Sequence, residues 1–325
     1  MLNRRDFLGL GTAAVAASYA SPSIAAPAKS SSAGPKINKA FESPVPGKPM
    51  PISLSAITTE GDRTRTSIAN LKTFPEFVQL AKGLGFDGIH LRASLAGLQT
   101  PLGELYEQSA MLQKAGLRVS SVVPDFDVPI NNARAADCLR NIAPYLNFAE
   151  IFKCDMIRVG LKSEADIPWA QRAADEAADR KLCLTHHDEA NTMFENFTLS
   201  MKTLKAINRP NFGMIYDEAQ WLANTPDYQE SRIVPQIQQI GPWIWEVFCK
   251  NNNGGPGPKG GRPETKLTAS GGVNYEKVFE GLYSIKYKGW LTTHNKRDAY
   301  DNSVDLAAQQ AFEFLTRYAS HVRPS

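Results

Sequence analysis

From residue 51 onward, short apolar runs and longer amphipathic stretches take turns along the chain. Residues 51–57 (PISLSAI) have the length and apolarity of a buried strand. Phe74, Phe77, Val78 and Ala81 then recur at helical spacing, and Gly83-Leu84-Gly85 ends that helix. Residues 86–92 (FDGIHLR) predict the second strand. The alternation goes on to predict helix 102–115, strand 117–123, helix 133–152, strand 155–160, helix 167–180 and strand 182–187. Helix 195–207, strand 212–217, helix 227–240, strand 243–249, helix 273–288, strand 290–294 and helix 302–320 follow. Val278, Leu282 and Ile285 share one face of the seventh helix, and Ala307, Ala311, Phe314 and Tyr318 one face of the last.

Eight strands, each followed by a helix, require a parallel sheet, because every crossover returns the chain in the same direction. Eight such units over about 270 residues match a closed (β/α)8 TIM barrel of α/β class. A doubly wound open sheet is the alternative, and no G-x-G-x-x-G follows the first strand to support it.

The first 50 residues read differently. Asn3-Arg4-Arg5-Asp6-Phe7-Leu8 precedes a weakly apolar run to Ala20, and Ser23-Ile24-Ala25 is an A-x-A-like exit. Residues 1–25 therefore read as a bacterial signal peptide of the twin-arginine type, with the periplasm as destination. The run is too rich in Gly, Ala and Ser for a membrane span, which needs roughly 20 apolar residues, so none is expected after processing. Residues 26–50, rich in Ser, Pro, Ala and Lys, read as a disordered linker, leaving 51–325 as a single barrel domain.

Composition adds exclusions. With 42% hydrophobic and 21% charged residues, the 325-residue chain is neither disordered nor a small disulfide scaffold. Its net charge of +3 comes from 36 basic and 33 acidic residues that are interspersed, so nucleic acid is not the expected partner. Cys138, Cys154, Cys183 and Cys249 form no C-x-x-C pair and read as buried thiols.

In a TIM barrel the chemistry sits at the C-terminal ends of the strands. Those ends carry His90 and Arg92, Arg158, Thr185-His186-His187-Asp188-Glu189, Asp217-Glu218, Lys250-Asn251 and His294. Four of the five histidines thus gather on one rim, with Asp217 as an oxygen ligand beside them. After the seventh strand, residues 251–262 contain seven Gly or Pro in twelve, which predicts a long rim loop of the kind that serves as a lid. Lys250, Lys259 and Arg262 there would meet an anionic or polyhydroxy substrate.

Several phrases resemble a known family. Leu84-Gly85-Phe86-Asp87-Gly88-Ile89-His90, His186-His187-Asp188, Phe212-Gly213-Met214-Ile215-Tyr216-Asp217 with Trp221 beyond, Gly272-Val273-Asn274-Tyr275 and Tyr287-Lys288-Gly289-Trp290-Leu291 occur in order. Together they resemble the sugar phosphate isomerase/epimerase branch of the xylose isomerase-like TIM-barrel superfamily, over residues 50–320. The resemblance implies a divalent cation on strands five to eight, an acid–base pair that moves a proton beside a carbonyl, a carbohydrate substrate and a homo-oligomer. Asp217 matches a family ligand, whereas Phe248 stands where the family offers histidine, His294 and His90 where it offers glutamate, and Gln220 where many relatives have histidine. A site of His187, Asp217 and His294 suits Mn²⁺, Zn²⁺ or Fe²⁺ better than Mg²⁺. His90 and His294 become the proton carriers and Lys250 the stabiliser of the enediolate oxygen, with Arg92, Arg158, His186, Gln220, Trp221 and Asn251 binding substrate. The implied activity is that of an exported sugar isomerase or epimerase. A lyase on an oxidised sugar or glycoside, or a carbohydrate-binding barrel that has lost catalysis, are the alternatives.

Overall fold

The structure, a computed structural model, describes residues 50–63, 68–252, 264–268 and 272–319. The signal reading (1–25), the linker reading (26–50) apart from Met50, and most of the rim loop, with Lys259 and Arg262, lie outside the described residues.

Eight parallel strands close into a barrel: β1 (Ile52–Ser55), β2 (Gly88–Arg92), β3 (Arg118–Val123), β4 (Met156–Val159), β5 (Cys183–His187), β6 (Phe212–Tyr216), β7 (Ile244–Cys249) and β8 (Trp290–Thr293). Neighbours in the ring are neighbours in the chain, and β1 pairs with both β2 and β8. The predicted (β/α)8 architecture is therefore the one observed. Helices surround it: α1 (Phe74–Leu84), α2 (Leu102–Ala115), α3 (Asp137–Arg140), α4 (Ala143–Ile151), α5 (Ile167–Asp179), α6 (Phe197–Ile207), α7 (Glu218–Asn224), α8 (Ile233–Ile240), α9 (Tyr275–Ser284) and α10 (Val304–Ala319). Among the described residues, no helix is long and apolar enough to cross a membrane.

Local chemistry sets the helix ends. Thr73 and Glu76 form a reciprocal capping box at the start of α1, and Gly85 closes it at φ 96°, a left-handed conformation that disfavours any side chain. Met50, at the start of the described chain, is buried and its N–H donates to the Ala319 carbonyl at 2.7 Å, tying the entry of β1 to the end of α10.

Three stretches depart from the sequence reading. The long helix predicted over 133–152 is two short ones, because Pro144 lacks the N–H of a helix interior and fits only the first turn of α4. Strands Glu60–Arg63 and Ile68–Asn70 make an antiparallel hairpin where the polar sequence suggested only a connection. Finally, α7 opens directly after β6, ahead of the helix predicted over 227–240, of which α8 is the latter half.

The barrel interior is not purely apolar. Ser53 Oγ lies 3.0 Å from Ser120 Oγ and 2.6 Å from Thr292 Oγ1, while Thr292 and Ser121 hydroxyls donate to the Glu246 carboxylate. All five side chains are buried, and they form a polar layer below the C-terminal rim.

Candidate functional site

Strand register assembles the site. In the β1–β2 pairing Ser55 stands opposite His90, and its Oγ lies 2.8 Å from His90 Nδ1 and 3.4 Å from His294 Nδ1. The ring centroids of His90 and His294 are 5.9 Å apart, and those of His187 and His294 5.4 Å. Phe248, from β7, fills the space between these rings. It stacks on His294 at 4.1 Å and packs against His90 at 5.0 Å and His187 at 4.9 Å. An aromatic side chain there provides no ligand atom, but it fixes the planes of three imidazoles.

Ser55 also constrains protonation. Its oxygen accepts from the Ile57 N–H at 3.4 Å, and its single proton can serve only one imidazole. When Ser55 donates to one Nδ1, the other ring must donate its own Nδ1–H to Ser55. The two rings are thereby held in opposite tautomers, one presenting an Nε2–H and the other an Nε2 lone pair.

Burial holds all three imidazoles neutral. His90 is pushed well below its ordinary value by desolvation and then by Arg92 and Arg158. Desolvation, followed by Arg158 and Lys250, does the same to His187, and desolvation with His187 and Arg92 to His294.

A carboxylate cluster adjoins them. Asp217 Oδ2 accepts from His187 Nε2 at 3.0 Å and pairs with Lys250 Nζ at 3.2 Å. Asp217 Oδ1 accepts from the Ala219 N–H at 3.1 Å, so the same side chain caps α7. Asp188 receives the Asp217 N–H at 2.9 Å, and its other oxygen is buried without a hydrogen-bond partner. Burial and the neighbouring Asp217 raise the Asp188 carboxyl well above the usual carboxylate range.

His187, Asp188 and Asp217 place one donor atom each within 4.8 Å of one another. One imidazole and two carboxylates suit a divalent cation, and the unpartnered Asp188 oxygen is the atom such an ion would satisfy. His294, grouped with His187 and Asp217 on sequence, stays outside this set and faces Ser55. The set is richer in oxygen than the sequence suggested, which brings Mg²⁺ back beside Mn²⁺, Fe²⁺ and Zn²⁺.

The arginines are at the same mouth. Arg92 forms a buried bidentate pair with Glu60, at 2.6 and 3.2 Å, and Arg158 Nη2 pairs with Glu189 at 2.8 Å. Arg92 Nη1 and Arg158 Nε and Nη1 remain buried donors without hydrogen-bond partners. The ring atoms His90 Nε2 and His187 Nδ1, the latter a lone pair because Nε2 carries the proton given to Asp217, are likewise buried without one. Buried polar atoms left open at one mouth are poised for a polar ligand.

Other sequence candidates lie elsewhere. His186 turns onto Phe194, stacked at 4.3 Å, with Nδ1 2.6 Å from the His187 carbonyl oxygen. Asn251 Oδ1 accepts the N–H groups of Asn252 (3.0 Å) and Val273 (2.9 Å), fastening the chain on either side of the rim loop. Gln220 is half-buried on the first turn of α7. Trp221 is buried against Tyr216 and Phe197, and its Nε1 donates to the Phe194 carbonyl at 3.4 Å. Ser55, Glu60 and Glu246 escaped the sequence reading because isolated Ser and Glu residues carry no spacing signal. Asp188 was visible beside His187, but its convergence with Asp217 depends on how β5 and β6 pair.

No family model matches the chain, and no curated protein is similar enough to be matched. Solved structures do match. A xylose isomerase domain protein from Planctomyces limnophilus is 17% identical, with a TM-score of 0.61 over 84% of this chain and 97% of that one. A xylose isomerase-like TIM-barrel protein from Mycobacterium smegmatis, solved in complex with magnesium, is 15% identical with a TM-score of 0.62 over 84% and 97%. The D-allulose 3-epimerase of a Methylomonas species, in complex with D-allulose, is 16% identical with a TM-score of 0.57 over 83% and 97%. At such identities the likeness shows the fold alone, the closed (β/α)8 barrel that this chain has in common with these proteins.

Proposed function

We propose that the protein is a sugar-active enzyme that abstracts a proton next to a carbonyl, in the manner of an isomerase or epimerase. The observation that carries this reading is the Ser55 bridge between two buried, neutral imidazoles in opposite tautomers. The ring with the Nε2 lone pair takes the C–H proton, and the electron pair left behind moves onto the carbonyl oxygen as an enediolate. The ring carrying Nε2–H returns a proton, to the same carbon from the other face in epimerisation or to the neighbouring carbon in isomerisation. Both rings stay neutral because protons move through Ser55 in the same step, Nδ1–H of the first ring passing to Ser55 Oγ and the Ser55 proton to Nδ1 of the second. The two tautomers end exchanged, and the site is set for the reverse reaction. Lys250 stabilises the enediolate oxygen, as preorganised cations do where charge develops. A cation held by His187, Asp188 and Asp217 would supply further polarisation of that carbonyl.

Loss of a leaving group after the same proton abstraction gives the lyase outcome. The fold is shared with a probable 3-DHS dehydratase from Bacillus anthracis, 17% identical with a TM-score of 0.60 over 80% of this chain and 97% of that one. The Arg4-Arg5 signal motif supports a place of work outside the cytoplasm, on free sugars or glycosides.

The test is solvent exchange. Aldoses, ketoses and keto-glycosides incubated in D2O with the enzyme should take up deuterium at the carbon beside the carbonyl, and the product then distinguishes isomerase, epimerase and lyase. His90→Ala and His294→Ala should abolish the uptake. Uptake from no sugar in the panel would leave a carbohydrate-binding barrel without catalysis.

A further inference from the structure

Outside the barrel, a cavity of about 540 Å³ opens between the start of α6 and the segment joining α7 to α8. This volume is in the range of small-molecule sites, about 300–1,000 Å³. None of the mouth residues lines it.

Its walls combine rings with neutral polar groups. Phe197, Trp221 and Tyr228 form the aromatic side, with Tyr228 held in place by a 2.6 Å hydrogen bond from its hydroxyl to Glu218. Asn196, Asn224, Gln229 and Gln236 contribute carboxamides. Asn224 Nδ2 is buried with no hydrogen-bond partner, an amide donor on the cavity wall left unsatisfied by the protein. The charged residues of the lining are already compensated. Lys202 pairs with Glu164 at 2.6 Å and Arg232 with Asp227 at 3.0 Å. A phosphate or carboxylate ligand would compete with Glu164 and Asp227 for these cations, whereas a neutral polyol would not. Flat apolar rings beside amide donors and acceptors match a sugar ring, which has an apolar C–H face and an equatorial rim of hydroxyls.

We propose that this cavity is a second carbohydrate site, for an uncharged sugar ring. The argument comes from the cavity lining and stands apart from the chemistry of the barrel mouth.

Saturation-transfer NMR with glucose, galactose, cellobiose and lactose tests it, with isothermal titration for any sugar that responds. Binding should be saturable in the full chain, at least tenfold weaker in Asn224→Ala and in the solvent-exposed Gln229→Ala, and retained in His90→Ala. Two variants are used because Gln229 is exposed and its truncation leaves the fold intact. Binding lost in His90→Ala but unchanged in both cavity variants would place the sugar at the mouth and overturn the proposal. Failure of all four sugars to bind would overturn it as well. Deuterium uptake is a separate readout, so the catalytic reading stands or falls independently.

Discussion

Ser55 Oγ does two things for the site at once: it orients two imidazoles and forces them into complementary protonation states. Removing it leaves both rings buried and packed on Phe248 but frees their tautomers. Ser55→Ala should therefore lower kcat by about 10²-fold, the lower end of what acid–base catalysis contributes, with KM changed far less. Steady-state kinetics on any sugar that exchanges deuterium measures the split, and a loss confined to KM would argue against the relay. Lys250 is a second case in which one atom decides between two roles. Its ammonium pairs with Asp217 Oδ2, on the carboxylate that a cation would also use. Lys250→Met should cost about 10²–10³ in kcat, as loss of an oxyanion-stabilising group does. The same substitution should tighten Mn²⁺ binding in calorimetric titration, because one competing positive charge is gone. Unchanged Mn²⁺ affinity would mean that the cation does not use Asp217.

Elements differ in how openly the sequence declares them. The barrel strands and α2 are legible because apolar runs of strand length and amphipathic runs of helix length alternate without interruption from residue 86 to 123. The hairpin of Glu60–Arg63 and Ile68–Asn70 is not, since its first strand (EGDR) lacks apolar alternation. Nor is α7, whose seven residues are too few for a helical period to stand out. That helix matters, because its N-cap is Asp217, a member of the candidate cation site: helix start and site are one residue. His90, His187, Asp217 and Lys250 were legible as strand-end residues of a barrel, whereas the exchange of His294 for Asp188 in the carboxylate cluster arises from register. Capping at α1 is a cleaner test of an element on its own, far from the chemistry. Thr73 accepts the Glu76 N–H and Glu76 accepts the Thr73 N–H at 2.7 Å, and Thr73→Ala removes the first contact and weakens the second. Urea unfolding should show a loss of about 1 kcal/mol with deuterium exchange unaffected. A loss below about 0.3 kcal/mol would mean that packing of Phe74 and Phe77, rather than the cap, fixes where α1 begins.

For the whole molecule, the buried titratable groups pull stability in opposite directions with pH. His90, His186, His187 and His294 all have pKa values in the folded state below the ordinary 6.5, His186 at about 3. As pH falls below about 6.5 the unfolded chain therefore binds protons that the barrel refuses, and stability declines. Glu246 behaves in the opposite sense. Burial among the hydroxyls of the interior pushes its carboxyl from 4.5 up to about 6, despite the hydrogen bonds it accepts from Ser121 and Thr292. Between those values the folded barrel keeps a proton that the unfolded chain has released, so stability falls as pH rises through that window. The difference between 4.5 and about 6 amounts to about 2 kcal/mol at pH 8. Glu246→Gln replaces the carboxylate by a neutral group of the same shape, with Ser121 or Thr292 turning to accept from the new amide. The variant should match the wild type near pH 4.5 and exceed it by up to about 2 kcal/mol at pH 8, a rise of several degrees in Tm for a domain of this size. Thermal unfolding of both proteins from pH 4.5 to 8 reads this directly. A stability difference that stays constant across the range would show that Glu246 keeps its ordinary pKa, and that the polar layer inside the barrel holds a charge without penalty.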